Sequence, residues 1–184
     1  MTNYFTSDLH LGHNNIIKLC NRPFTSLEEM DRTIIQNINN TVYERDTLYI
    51  IGDLIYKSSK DPIEYIKQIK CKKVLILGNH DTWYHKDPTL YNKYFQEVTQ
   101  YLDRAIDGRR VIMFHYPILE WQGYHSNNCY HIYGHTHSDF LYNKESAQRK
   151  LVESEPRMFN ATVDRNQFKP QTLEQLIYTK ASSI

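Results

Sequence analysis

The sequence predicts an α/β chain. Short apolar runs rich in Ile, Leu, Val and Tyr are interleaved with helix-periodic segments that open on capping residues, and 40% hydrophobic against 23% charged residues is the balance of a folded, water-exposed protein. Runs such as Leu48-Tyr-Ile-Ile51 and Val74-Leu-Ile-Leu77 are apolar throughout, as strands covered on both faces are. At 184 residues the chain is about one compact domain long, residues 1–184, and large enough to bury a core without staples.

Taken in order, Asn3-Tyr-Phe-Thr-Ser7 is the first strand, running into Asp8-Leu-His10-Leu-Gly-His13. Asp8 and His10, one residue apart, leave a strand end on the same side. Asn14 or Asn15 caps a helix through Ile16, Ile17 and Leu19. Ser26-Leu-Glu-Glu29 matches the capping box, and Leu27, Met30, Ile34 and Ile38 follow as one buried stripe to about Asn39. Thr47 to Ile51 is a buried strand that stops at Gly52 and delivers Asp53. Asp61-Pro-Ile-Glu64 opens a helix that faces Ile63, Ile66 and Ile69 inward. Lys72-Lys73 leads into the strand Val74 to Leu77, which ends at Gly78-Asn-His-Asp81.

Asp87-Pro88 starts a helix carrying Leu90, Tyr91, Tyr94 and Val98. Asp107-Gly108 is a tight-turn pair that joins a strand over Tyr101–Ile106 to Arg110–Phe114 as a hairpin, and the second strand ends at His115. Tyr130 to Tyr133 is a strand ending at Gly134-His-Thr-His137. Leu141 to Pro156, rich in Lys, Glu, Ser and Gln, reads as a solvated loop or hairpin. Arg157 to Val163 reads as a strand, and Thr172-Leu-Glu-Gln175 caps a final helix.

A net charge of +1 leaves no excess of cations to hold a long duplex nucleic acid, so a small substrate is expected. Cys20, Cys71 and Cys129 are odd in number and unpaired in spacing, which suits structural thiols in a reducing compartment. The first residues lack the layout of a signal peptide, and no apolar run approaches a membrane span, so a cytoplasmic location and no membrane partner are expected.

Chemistry enters through the strand ends. Five strand candidates terminate in residues that bind metal or move protons: Asp8 and His10, Asp53, Asn79 and His80, His115, then His135 and His137. A lone histidine beside an apolar run is usually a core residue; five such ends in succession are hard to explain as packing. Imidazoles, carboxylates and an amide oxygen without a cysteine suit Mn, Fe, Zn, Ni or Co rather than a structural thiolate zinc site. Seven candidate ligands are too many for one ion and about right for two that share Asp53.

The blocks Asp8-Leu-His10, Gly52-Asp53, Gly78-Asn-His-Asp81, His115 and Gly134-His-Thr-His137 follow the order D-x-H, G-D, G-N-H-D/E, H and G-H-x-H, and in this the chain resembles the calcineurin-like metallophosphoesterases. The resemblance implies a four-layer α-β-β-α sandwich, two mixed sheets flanked by helices, with the site at strand ends. It further implies that Asp8, His10 and His137 hold one divalent ion, foremost Mn, that Asn79, His115 and His135 hold a second, and that Asp53 bridges them. A hydroxide shared by ions roughly 3.5–4 Å apart would attack phosphorus in line. His80 would protonate the leaving oxygen or stabilise its charge, with Asp81 orienting the imidazole.

His13 is a candidate phosphate contact, and Arg22 a candidate phosphate clamp. Trp83, Tyr84, Tyr116 and Trp121 follow site blocks and are candidates to stack on a base, whereas His85, His125 and His131 read as structural. The residues after Asp53, Leu-Ile-Tyr-Lys, depart from the protein serine/threonine phosphatase pattern, and the length leaves no room for the DNA-capping domain of the repair nucleases. A small phosphoester remains, a phosphodiester such as a nucleotide or cyclic nucleotide above a monoester. A non-catalytic metal-binding scaffold and a nuclease for single-stranded nucleic acid stay open as alternatives.

Overall fold

The computed structural model describes residues 1–137 and 146–182. Among them the order is β1 (Asn3–Thr6), α1 (Asn14–Leu19), α2 (Leu27–Thr41), β2 (Thr47–Ile51), α3 (Pro62–Ile66), β3 (Lys72–Ile76), α4 (Pro88–Tyr91), β4 (Glu97–Thr99), β5 (Tyr101–Ile106), β6 (Arg109–Phe114), β7 (Cys129–Tyr133), α5 (Ala147–Ser154), β8 (Met158–Asn160) and α6 (Leu173–Ala181). The strands form two four-stranded sheets, β1-β2-β3-β4 and β5-β6-β7-β8. In the first, every pairing is parallel; the second is mixed, with β5 antiparallel to β6 and the rest parallel. Parallel pairing brings the carboxyl ends of β1, β2 and β3 to one edge, and those of β6 and β7 to one edge of the other sheet. This is why residues far apart in sequence can share one crevice.

Side-chain alternation builds the layers. Leu48 and Ile50 of β2 pack with Met30, Ile34 and Ile38 of α2, while Tyr49 and Ile51 turn to the opposite face and meet Val111 and Met113 of β6. Ile112, between those two, faces Trp121, Tyr133 and Val152 in a third cluster beyond the second sheet. The result is helices, sheet, sheet, and further helix, the four-layer order that the resemblance implied. The sheets are joined where Ser7 pairs with Thr162: the Ser7 amide donates to the Ala161 carbonyl at 3.0 Å and the Val163 amide to the Ser7 carbonyl at 3.1 Å.

The helix starts follow their capping residues with two variations. Asn14 and Asn15, expected to cap α1, lie inside its first turn, and the position before it is His13, whose side chain makes no capping bond. Asp61 and Glu64 form a complete capping box, as do Thr172 and Gln175. Ser26 caps the Glu29 amide, but the Glu29 carboxylate reaches one residue further back, to the amide and hydroxyl of Thr25.

Three elements differ from expectation. The helix after Asp87 stops at Tyr91, and Val98 lies instead in β4, because Val74↔Glu97 pairing extends the first sheet by an edge strand. The strand expected over 157–163 is only Met158–Asn160, and Val163–Arg165 is a 3-10 turn. Within Leu141 to Pro156, residues 141–145 lie outside the described residues, and Ala147–Ser154 is a helix, α5. Its polar composition hid two buried positions, Val152 and Arg149, the second paired with Glu153 across one helical turn.

Candidate metal centre

Strained backbone marks the crevice. Asp8, His10, Asp53 and His135 all have positive φ, between 53° and 64°. The left-handed region costs an L-residue on the order of 1 kcal/mol or more, and such residues persist where surrounding contacts enforce them. Here the contacts are short backbone bonds: the Asp8 amide donates to the Gly52 carbonyl and the His10 amide to the Asp53 carbonyl, each at 3.0 Å. Glycine is required beside them. A Cβ on Gly52, where φ is +85°, would stand 2.2 Å from His115 Nδ1, and one on Gly134 would stand 2.4 Å from Asp8 Oδ2.

These turns bring together Asp8, His10, Asp53, Asn79, His115, His135 and His137. Asp53 Oδ2 lies 3.5 Å from His10 Nε2 on one side and 3.5 Å from His115 Nε2 on the other. Beyond His10, His137 Nε2 is 3.4 Å from Asp8 Oδ1. Beyond His115, the Asn79 Oδ1 oxygen lies 3.0 Å from His115 Nε2 and 3.1 Å from His135 Nδ1. Asp8, His10 and His137 form one group of donor atoms able to hold a metal ion, and Asp8, Asp53 and His115 another.

Two buried polar atoms sharpen the fit. Asp8 Oδ1 and His10 Nε2 have no hydrogen-bond partner, although burying a polar atom unsatisfied is costly. Atoms bound about 2.0–2.2 Å from one cation stand roughly 3.0–3.5 Å apart, the spacing found here. The donor set of imidazole, carboxylate and amide oxygen thus fits divalent metal.

Charge in the crevice is uneven. Burial alone would raise the Asp53 carboxyl, but the imidazoles of His10 and His115 beside it bring it down to about 2, so it is ionised. Burial lowers His10, His80 and His135 and keeps them neutral. Burial opposes charge on His137 too, yet Asp164, Cys20 and Asp8 hold it up at about 10.

His80 stands at the mouth, its side chain 33% exposed and its Nε2 4.0 Å from Asp53 Oδ2, while its amide donates to Asp53 Oδ1 at 2.8 Å. The Tyr56 ring packs against it, tilted by 36°, with centroids 3.8 Å apart. Asp81 does not orient this imidazole. Its carboxylate accepts from the amides of Asp53, Leu54 and Gly78 at 2.8–2.9 Å and from the Trp83 indole at 3.1 Å, so it ties the second and third strand ends together. Burial and the Asp53 charge push it up to about 6.

Arg22 is likewise no phosphate clamp. Its guanidinium is fully buried and bonded to Asp164 and to the carbonyls of Leu9 and Asp8. His13 is 7% exposed and sits behind His10, with its Nδ1 3.2 Å from His10 Nδ1; burial, then the neighbouring imidazoles of His10 and His80, bring it down to about 4. Of the four aromatic candidates, Trp83 and Trp121 are buried and Tyr84 is bonded to Asn92, but Tyr116 is 38% exposed with its ring 4.6 Å from that of His135.

Two residues at the site escaped sequence reasoning, Tyr56 and Asp164. Tyr56 carried no signal beyond its place three residues after Asp53. Asp164 directly follows the strand expected over 157–163, which is the signal that could have found it; in the structure it lies in the 3-10 turn Val163–Arg165.

A sequence model described as calcineurin-like phosphoesterase matches residues 1–153. An uncharacterized protein of Methanocaldococcus jannaschii is 31% identical over 95% of this chain and 88% of its own length. The gene 66 protein of Mycobacterium phage L5 is 29% identical over 80% of this chain and 83% of its own. Among solved structures, a protein of unknown function from Aquifex aeolicus, AQ665, is similar with a TM-score of 0.69 and 29% identity, covering 94% of this chain and 95% of that one.

Proposed function

The chain belongs to the calcineurin-like phosphoesterase family, and from that premise we propose that it is a two-metal hydrolase of a small phosphodiester, a nucleotide or short oligonucleotide in type. The observation that carries the reading is the position of Asp53, whose Oδ2 is equidistant, at 3.5 Å, from one imidazole of each donor set. Asp8, His10 and His137 would hold one divalent ion, Asn79, His115 and His135 the other, and Asp53 both. Such ions supply charge neutralisation on the phosphoryl oxygens and lower the pKa of water, with Mn foremost among the metals this donor set suits.

The chain's own groups do the rest. His80 at the mouth donates a hydrogen bond to the departing oxygen, and the Tyr56 ring packed against it restrains its plane. Asp81 supports the geometry from below by holding the Asp53 and Gly78 turns.

An aromatic path supports the nucleotide reading. From His135 it passes to Tyr116 at 4.6 Å, on to Phe114 at 5.6 Å and to Tyr101 at 6.2 Å, and both tyrosines are more than a third exposed. Stacking on aromatic rings is worth about 1–3 kcal/mol per base and tolerates any base. Two exposed tyrosines with Phe114 between them favour, as a second reading, a short single strand over a mononucleotide.

The test is Asp53→Asn, assayed on bis(p-nitrophenyl) phosphate with Mn and by metal titration. We expect a rate loss beyond the roughly 10–100-fold that changes at supporting residues cause, and bound metal falling to one equivalent or fewer. A variant that keeps rate and both ions contradicts the reading. A parallel turnover screen over cyclic nucleotides, linear dinucleotides and phosphomonoesters identifies the ester.

A further inference from the structure

Arg22 and Asp164 are 142 residues apart, yet they form a buried pair directly behind one group of candidate ligands. Asp164 Oδ2 is 2.7 Å from His137 Nδ1, and Arg22 Nε donates to Asp164 Oδ1, also at 2.7 Å. The side chains are 5% exposed for His137, 2% for Asp164 and 0% for Arg22. The same guanidinium donates through Nη1 to the Leu9 carbonyl at 2.9 Å and through Nη2 to the Asp8 carbonyl at 2.8 Å. One planar fork therefore grips the strained turn that carries Asp8 and His10, and also the carboxylate that touches His137.

We propose that Asp164 is the positioning residue for His137 and that Arg22 locks it in place, so that one of the two metal sites is braced by this ion pair. The proposal rests on the two-ion reading above, and its central residue, Asp164, lies outside the residues that the family match covers, 1–153. The physical reason is the two-sided nature of imidazole. With Nδ1–H donated to Asp164, the ring has one orientation, and it presents Nε2 toward Asp8 Oδ1, 3.4 Å away. Asp164 cannot readily serve as a ligand itself, since one oxygen faces the Arg22 Nε–H and the other faces Nδ1 of His137. Arg22 contributes what lysine cannot, three nitrogens in a fixed plane aimed at three different acceptors.

The experiment is calorimetric titration of the metal-free full chain with Mn, for wild type, Asp164→Asn and Arg22→Lys, alongside 15N imidazole spectra of the zinc-loaded protein. Wild type should bind two equivalents. Asp164→Asn should weaken one class of site by about 10–100-fold and leave the other within a factor of two or so, with the His137 Nδ1–H resonance shifted. Arg22→Lys, which keeps both charges, should weaken the same class by less and serves if the first variant does not fold. Unchanged affinity at both sites, or an equal fall at both, overturns the proposal, the second outcome marking a merely structural pair. A wild type that binds a single ion, still weakened by Asp164→Asn, leaves this inference standing and removes the two-ion reading.

Discussion

The two halves of the candidate centre are built from different materials. Around Asp8, His10 and His137 the supports are side chains: Arg22 and Asp164 from further along the chain, and His13 from the turn itself. Around His115 the support is main chain. Its Nδ1 lies 3.0 Å from the Ile51 carbonyl, and Gly52 leaves the space in which the ring sits. A side-chain brace can be removed by substitution at its own position and tuned by chemistry. A backbone brace can be disturbed only by moving the chain, so the His115 ring should resist point changes around it except at Gly52.

The largest effect should come from breaking the brace of the first half. Arg22→Met leaves Asp164 buried beside His137 without its cation, and losing one partner of a buried pair typically costs about 3–5 kcal/mol. Urea unfolding should show that loss; a change below about 1 kcal/mol would mean the pair bears no weight.

Gly52→Ala attacks the other half. The added methyl meets His115 at 2.2 Å on a residue with φ of +85°, and overpacking with left-handed strain suggests a destabilisation of about 2–4 kcal/mol together with displacement of His115. Metal titration should then lose the class of site that Asp164→Asn spares. Loss of the same class in both variants would mean that the halves are not separately supported.

A smaller effect follows from His131, buried beneath the turn after His115. It contacts the carbonyls of Ile112 and Tyr116 and accepts from the Ile118 amide. Burial lowers it to about 4 against 6.5 when unfolded, so the native state favours the neutral ring. Its contribution is complete above pH 6.5 and is lost as pH falls toward 4, because the unfolded chain takes up the proton first. The loss should reach about 2 kcal/mol by pH 5, and His131→Gln should flatten the stability difference between pH 7 and pH 5 by that amount. An unaltered slope would show that the turn does not depend on a neutral imidazole.

Much of this arrangement was legible in the sequence, for identifiable reasons. Buried parallel strands write themselves as unbroken apolar runs, and Gly52, Gly78 and Gly134 punctuate the places where they deliver polar residues, so both the sheets and the converging ends could be read. What escaped depends on contacts between distant segments. Arg22 in the sequence is a cation of unstated environment; only folding reveals that Asp164 and two carbonyls consume it. Asp81 adjoins His80 in the chain, yet the turn points its carboxylate at three amides instead of the ring. The short strand β4 was read as helix because Leu90, Tyr91, Tyr94 and Val98 keep helical spacing, and pairing with β3 overrode that local preference. Helix α5 was concealed by polar residues on a short segment with a single buried valine.

Asp53 is the hinge of the account, and anomalous diffraction from crystals loaded with Mn examines it most directly. Two peaks roughly 3.5–4 Å apart are expected, with Asp53 Oδ2 between them, His10 and His137 on one ion, and Asn79, His115 and His135 on the other. A single peak, or two peaks with Asp53 touching only one, would contradict it.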